Sequence, residues 1–430
     1  MLILTPYLTP RFRYAVHQVF LHLKGTIEFT QDEKRFSEYN GPKLEYSKVE
    51  KKQENFPVVH ATEWLWNKEI YDEHIPDIKT ENGQTKLFFR DGLSHDVFAS
   101  VFWVLTRYEE YLPKSRDDHG RFASKYSVLS KDQANDLPWV DIWRKEFSDE
   151  VRRFFPQLVF EQPSLKLRMT VDVDSAFAYR HKGVVRTIGG MFKDVSKIDV
   201  RNLLSRIDIV IGSKHDPYDT YDYVADVCRE KKIPLTWFFL LADPSQEDIG
   251  ISHRNSAYRD VIKKLSSEFE FGIHPGYASN NDPGKIAIEK SRLEEIAGLP
   301  VTRSRQHYLK LAFPETYRRL IDRGIREDYT LGYADRTGYR AGTNYPFPWF
   351  DLEKNEETNL ILHPFAVMDT TLRDYMKLSP DKAIEWVHGM IASARATGGE
   401  FNLLWHNESL SEMGKWQGWK TVWEKITDLK

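Results

Sequence analysis

One cysteine, Cys228, serves a chain of 430 residues, so no intrachain disulfide can brace it. It falls in the helix-patterned segment YDYVADVCREKK, where a small core thiol is expected. Long apolar runs are missing too. None approaches the roughly 18 residues of a membrane-spanning helix, which excludes stable membrane insertion by helices. The opening MLILTPYLTP stops being apolar at Thr5 and Pro6, without the core or cleavage site of a signal peptide, so the expectation is a cytoplasmic protein. Basic residues are not in surplus. With 61 Lys and Arg against 64 Asp and Glu, the net charge is −3, and nucleic acid is not an expected partner. Nothing in the residues specifies an oligomeric partner.

Aromatic residues, by contrast, are plentiful: 12 Trp, 21 Tyr and 25 Phe. Such rings can stack on sugars, and they also fill cores. The length suits two or three domains, and Pro156 and Pro163 bracket a connection in FFPQLVFEQPSLKL. The expected division is a smaller α/β domain over residues 1–155 and a larger one over 165–430. Upstream, TPRFRYAVHQVFLHL patterns as a helix with Pro10 in its first turn. SHDVFASVFWVLTRYEEYL patterns as an apolar helix with Ser94 a candidate cap. No catalytic constellation is visible there, so a structural or substrate-restricting role is expected. Downstream, strand-like and helix-like segments alternate from LRMTVDVD to EFNLLWHNESL. That order implies a parallel sheet, open or closed into a barrel, with its active groups at strand C-terminal ends.

Those ends are polar. Asp172 and Asp174 sit two residues apart on one face of a strand, about 7 Å apart at Cα, within reach of one ligand or ion. Further segment ends supply His274, Arg305 with His307, Asp328, His363 and His406. If the strands share a sheet, these groups meet on one rim.

The motifs that carry them resemble those of the NodB-type polysaccharide deacetylases, metal-dependent carbohydrate esterases with a distorted (β/α) barrel. TVDVD is similar to the family's first motif, HPGYASN occupies the place of its second, RQHY that of its third, and GGEFNLLWHN that of its last. The likeness spans about 165–410, in the family's order. LGYADRTGYRAGTNYPFPWF and HPFAVMDTTL resemble a divergent branch with an extra N-terminal domain. The resemblance implies Asp172 as general base, Asp174 and His274 as ligands to a divalent metal, zinc first among the candidates, and Arg305 orienting the base. It implies His406 as general acid and the backbone at Tyr308 near the oxyanion. One departure stands out: the second His of the usual second motif is Ala278. His307 occupies a position where the family usually carries Pro, and neighbouring strand ends are about 4.8 Å apart, so His307 is proposed as the substituted ligand.

Asp328, Arg340, His363 and Trp349 are further candidates for substrate contact, Trp349 as part of a YPFPWF sugar platform. Asp369 is a candidate helix cap or substrate contact. The function implied is hydrolysis of a non-peptide carbon–nitrogen amide bond, with an N-acetylated sugar or glycan precursor as substrate. Two alternatives stay open: a metal hydrolase of a non-sugar amide, and a non-catalytic carbohydrate-binding protein that has lost its metal.

Overall fold

Strands β1 (Leu2–Leu4), β2 (Glu28–Thr30), β3 (Lys43–Ser47) and β4 (Val58–His60) form a four-stranded parallel sheet in the order β2-β1-β3-β4. The computed structural model describes residues 1–48, 55–71, 76, 78–81, 83–89, 95–130, 136–181, 207–209 and 211–429. Helix α1 (Pro10–Val19) begins with Pro10, whose missing N–H costs nothing at that position, and the Thr9 hydroxyl caps it by accepting from the Phe12 N–H. Helix α2 (Glu33–Glu38) links β2 to β3. A two-stranded hairpin, β5 (Ile78–Glu81) with β6 (Gln84–Leu87), follows. Helix α3 (Val97–Leu105) is buried along its whole length, which explains its lack of a polar face. Asp96 caps it, and Ser94 lies outside the described residues. Instead of continuing through RYEEYL, the helix stops as Arg107 turns left-handed, and a 3-10 turn follows at Tyr108–Glu110. Helix α4 (Trp139–Phe154) closes this part of the chain.

The second sheet has nine strands. They are β7 (Leu165–Val173), β8 (Leu235–Phe239), β9 (Glu270–Ile273), β10 (Arg303–Ser304), β11 (Glu327–Asp328), β12 (Phe347–Asp351), β13 (Glu356–Leu362), β14 (Val367–Met368) and β15 (Gly399–His406). Their hydrogen-bonded order is β12-β13-β11-β10-β9-β8-β7-β15-β14. All pairings are parallel except that of β12 with β13. Among the described residues no ladder joins β12 to β14, so the architecture is α/β without a demonstrated closure. Parallel strands are covered on both faces. Accordingly the second half of β7, from Met169 through Thr170 and Asp172 to Val173, is buried on both sides. The polar face expected on one side of this strand is not a solvent face.

One apolar cluster runs through both sheets, taking in Phe12, Phe98 and Trp143 from the N-terminal part and Trp237, Phe350 and Trp405 from the larger sheet. Buried ions cross the same junction: Arg340 Nη2 donates to Glu110 Oε2 at 2.5 Å and Arg340 Nε to Glu110 Oε1 at 2.9 Å. Cys228 is buried, and burial pushes its thiol up to about 12. Among the described residues no helix is long and apolar enough to cross a membrane.

Candidate metal centre

The C-terminal ends of β7, β9, β10 and β15 converge on a cleft of about 550 Å³ lined by Asp172, Asp174, His274, His307 and His406. Strand register does part of the work, pairing His406 with Asp172 across β15 and β7. The first turn residue past β7 is Asp174, and His274 follows β9, whose Gly272 runs so close to β10 that a Cβ would lie 2.6 Å from the Arg303 carbonyl oxygen.

Asp174, His274 and His307 offer one ligand atom each within 4.8 Å of one another. His274 Nε2 stands 3.2 Å from Asp174 Oδ1, and His307 Nε2 stands 3.5 Å from Asp174 Oδ2. Tetrahedral zinc with bonds near 2.0–2.1 Å separates its ligands by about 3.3 Å, so the spacing fits. The proton positions fit as well. His274 Nδ1 lies 2.6 Å from the Arg305 carbonyl oxygen, which can only accept, so Nδ1 carries the proton and Nε2 presents a lone pair. His307 Nδ1 donates to Asp248 Oδ1 at 2.7 Å with the same consequence. Asp174 Oδ1 is buried and makes no well-formed hydrogen bond, an acceptor left for a cation.

The charges point the same way. Burial alone would raise the Asp174 carboxyl, but His307, His274 and His406 outweigh it and hold the group well below the usual range. Burial would lower His307, yet Asp174 and Asp248 overcome it and lift the imidazole to about 9. Without a cation, the pair holds a proton where a dication can sit.

Two more dyads face the same space. Arg305 is fully buried; Nη1 donates to Asp172 Oδ1 at 2.9 Å, Nη2 to Thr170 Oγ1 at 2.7 Å and Nε to the Tyr329 carbonyl at 3.0 Å. Its guanidinium lies over the Phe238 ring, 4.6 Å from the centroid. His406 Nδ1 donates to Asp369 Oδ1 at 2.8 Å, leaving Nε2 toward the cleft, 3.7 Å from Asp174 Oδ2. Asp369 also accepts from the His406 N–H and from the Ser409 hydroxyl. Burial depresses His406, but Asp369 in the first place and then Asp174 raise it to about 10.

Tyr308 lines the cleft with left-handed backbone, φ 59° and ψ 11°, next to His307. Arg121, from the N-terminal part, donates to its carbonyl at 3.2 Å and to the Tyr375 hydroxyl at 3.0 Å. Ala278 stands in a 3-10 turn, Tyr277–Asn280, and offers no ligand atom.

The remaining candidates do not reach the cleft. Asp328 is buried and held by the Ser304 and Thr330 hydroxyls. Arg340 is locked on Glu110 and the Gly332 carbonyl. His363 stacks on Tyr329 with centroids 4.3 Å apart and pairs with Glu327 at 3.2 Å. Trp349 is buried against Tyr317, so its aromatic cluster is core here, not an exposed platform. Conversely, sequence reasoning passed over Asp248, behind His307, and Arg121, which lines the cleft from the N-terminal part. Asp248 alone carried a signal, since it lies in the loop after β8, the one neighbouring strand end to which no group had been assigned.

A family of unknown function (DUF7033) matches residues 1–156. No curated protein sequence matches the chain. Among solved structures, a Mycobacterium smegmatis protein assigned as a polysaccharide deacetylase is similar at 16% identity and a TM-score of 0.40, covering 63% of this chain and 86% of that one. The polysaccharide deacetylase Bc1974 of Bacillus cereus is similar at 11% identity and a TM-score of 0.31, over 61% and 86% of the two chains. A CE4 family pseudoenzyme of Bacillus anthracis is similar at 10% identity and a TM-score of 0.32, over 62% of each chain.

Proposed function

We propose that this chain is a metal-dependent hydrolase of a non-peptide carbon–nitrogen amide bond, acting on an N-acetylated sugar or glycan precursor from a NodB-like distorted barrel. The observation that carries the reading is one cleft holding a three-donor set, Asp174, His274 and His307, between two oriented acid–base groups, Asp172 and His406. The smaller N-terminal part serves as a second domain that walls the cleft through Arg121.

A divalent cation, zinc first among the candidates for an Asp-His-His set, would supply carbonyl polarisation and a lowered water pKa when bound. Asp172 is free of that set and held by Arg305, so its second oxygen can accept a proton from an attacking water. On the other side, His406 presents Nε2 to the cleft and can pass a proton to the departing amine, with Asp369 stabilising the imidazolium. The Tyr308 turn brings backbone beside the ligand His307, where an N–H can meet a developing oxyanion.

The test is acetate release from N-acetylated oligosaccharides by zinc-reconstituted protein, with metal content measured on the same samples. Release that disappears in Asp172→Asn while metal is retained supports the reading. Failure of the wild type to retain any zinc, manganese or nickel after reconstitution overturns it in favour of a non-catalytic carbohydrate-binding protein.

A further inference from the structure

Between its 3-10 turn at Tyr108–Glu110 and helix α4, the N-terminal part sends an arm out to the larger sheet. The arm is fastened along its length. Arg116 Nη2 donates to the Glu110 carbonyl at 2.8 Å, and the Ser127 hydroxyl donates to Glu109 Oε1 at 2.7 Å. Midway, the Ser124 hydroxyl donates to Asp335 Oδ2 at 2.8 Å, so LGYADRTGYR, a segment that supplies nothing to the cleft, holds the arm instead. At the tip, the Asp117 carboxylate accepts from the His119 and Arg121 N–H groups at 3.0 and 2.8 Å and from Arg121 Nε at 2.7 Å. Arg121, only 8% exposed, is therefore aimed by its own loop.

Its target is the turn that carries His307. From His307 to Lys310 the backbone N–H groups of His307, Leu309 and Lys310 donate to the Pro275, Gln306 and His307 carbonyls. The Tyr308 N–H donates to no acceptor among the described residues. Tyr308 and Leu309 are both left-handed, φ 59° and 54°, a conformation that residues with a Cβ resist. Such a turn persists only where its surroundings hold it. Arg121 does so, Nη1 donating to the Tyr308 carbonyl while Nη2 donates to the Tyr375 hydroxyl. The His119 ring packs on Tyr308, with centroids 4.7 Å apart. Tyr375 ends a π-helical turn, Thr371–Tyr375, that opens two residues after Asp369, the carboxylate behind His406. One guanidinium thus ties the metal side of the cleft to the acid side.

We propose that Arg121 is a positioning residue for the amide hydrolysis, a role that rests on the function proposed above. Its fork holds the Tyr308–Leu309 turn so that the unpaired Tyr308 N–H can meet the developing oxyanion. The experiment compares Arg121→Ala, Arg121→Lys and Lys125→Ala, the last an exposed side chain on the same arm, in the full zinc-reconstituted chain. Arg121→Ala should lower kcat for acetate release about 100-fold, the scale for a reacting geometry displaced by about 1 Å. KM and zinc content should hardly move, and added methylguanidinium should restore part of the loss. Arg121→Lys keeps the charge without the fork, should fall in the same direction, and replaces the alanine variant if that does not fold. Lys125→Ala should behave as the wild type does. Hydrogen exchange on the metal-free proteins, read by mass spectrometry, is independent of turnover. Residues 306–311 should exchange faster in the Arg121 variants than in the wild type, while β7 and β15 stay unchanged. A rise in KM at constant kcat would place Arg121 on the substrate and overturn the proposal, as would a kcat loss that tracks zinc loss. A wild type that holds zinc and releases no acetate defeats the hydrolase reading, and exchange then decides alone: faster exchange at 306–311 upholds the brace, and unchanged exchange overturns it.

Discussion

The imidazole of His307 lies between two carboxylates, 2.7 Å from Asp248 at Nδ1 and 3.5 Å from Asp174 at Nε2. Asp248 is in turn held by the Tyr277 N–H at 3.0 Å, so its position does not depend on the histidine alone. A carboxylate behind a ligating histidine fixes its tautomer and raises its basicity. Asp248→Ala should therefore weaken zinc affinity by about 10- to 100-fold, read by competition with a chromophoric chelator. Unchanged affinity in a folded variant would show that Asp248 is not part of the centre.

His307 itself should matter as much as His274. In the proposed centre each would supply one of three donors, and losing either would leave two protein ligands where a catalytic zinc site uses three. Elemental analysis should find metal largely lost from His307→Ala and from His274→Ala. His253→Ala, outside the cleft, should keep it. Full occupancy in His307→Ala would remove this histidine from the ligand set.

Asp369 touches no donor of the metal set but fixes both the backbone and Nδ1 of His406. Asp369→Asn should lower kcat for acetate release by about 100-fold, the low end for a misdirected acid–base group. Metal content and KM should change little. A rise in KM alone would mean the pair binds substrate without moving a proton.

Away from the cleft, Glu110 should make stability depend on pH. Burial would raise its carboxyl, but Arg340 and Arg107 outweigh that and hold it at about 2. Because the folded-state value lies below the ordinary one, near 4.5, the contribution is complete above that value. It is lost as pH falls from about 4.5 toward 2. Arg340→Ala leaves Glu110 with Arg107 and the more distant Arg116, 3.6 Å away, and should cost up to about 3–5 kcal/mol, the scale for breaking a buried pair. Thermal unfolding at pH 7 and pH 3 should show a wild-type advantage that narrows in acid.

Trp349 gives a contrasting test. As a core side chain against Tyr317 it should destabilise by about 3–5 kcal/mol when cut to alanine. Saccharide affinity in the remaining folded protein should hold. A variant that keeps its unfolding midpoint and loses sugar binding would return Trp349 to the substrate side.

Asp172 and Asp174 were legible as a pair because strand alternation is local: two residues apart means one face, whatever the rest of the fold does. The βα order then made a parallel sheet legible, and with it the rim where His274, Arg305, His307 and His406 belong. The same rule could not sort that rim from what lies behind it. Asp328 and His363 also end strands, but their side chains are taken up by Ser304, Thr330, Tyr329 and Glu327. Periodicity reports a face of one strand and says nothing about which neighbour covers it. The partners that set the chemistry are more distant still. Asp248 reaches His307 across 59 residues, and Glu110 reaches Arg340 across 230. Such pairings carry no period in the sequence, since packing alone chooses which buried charge finds which partner. The sequence by itself therefore determined the candidate donors and the alternation of strands and helices. Only the tertiary structure decided which donors meet, and which carboxylates hold them in place.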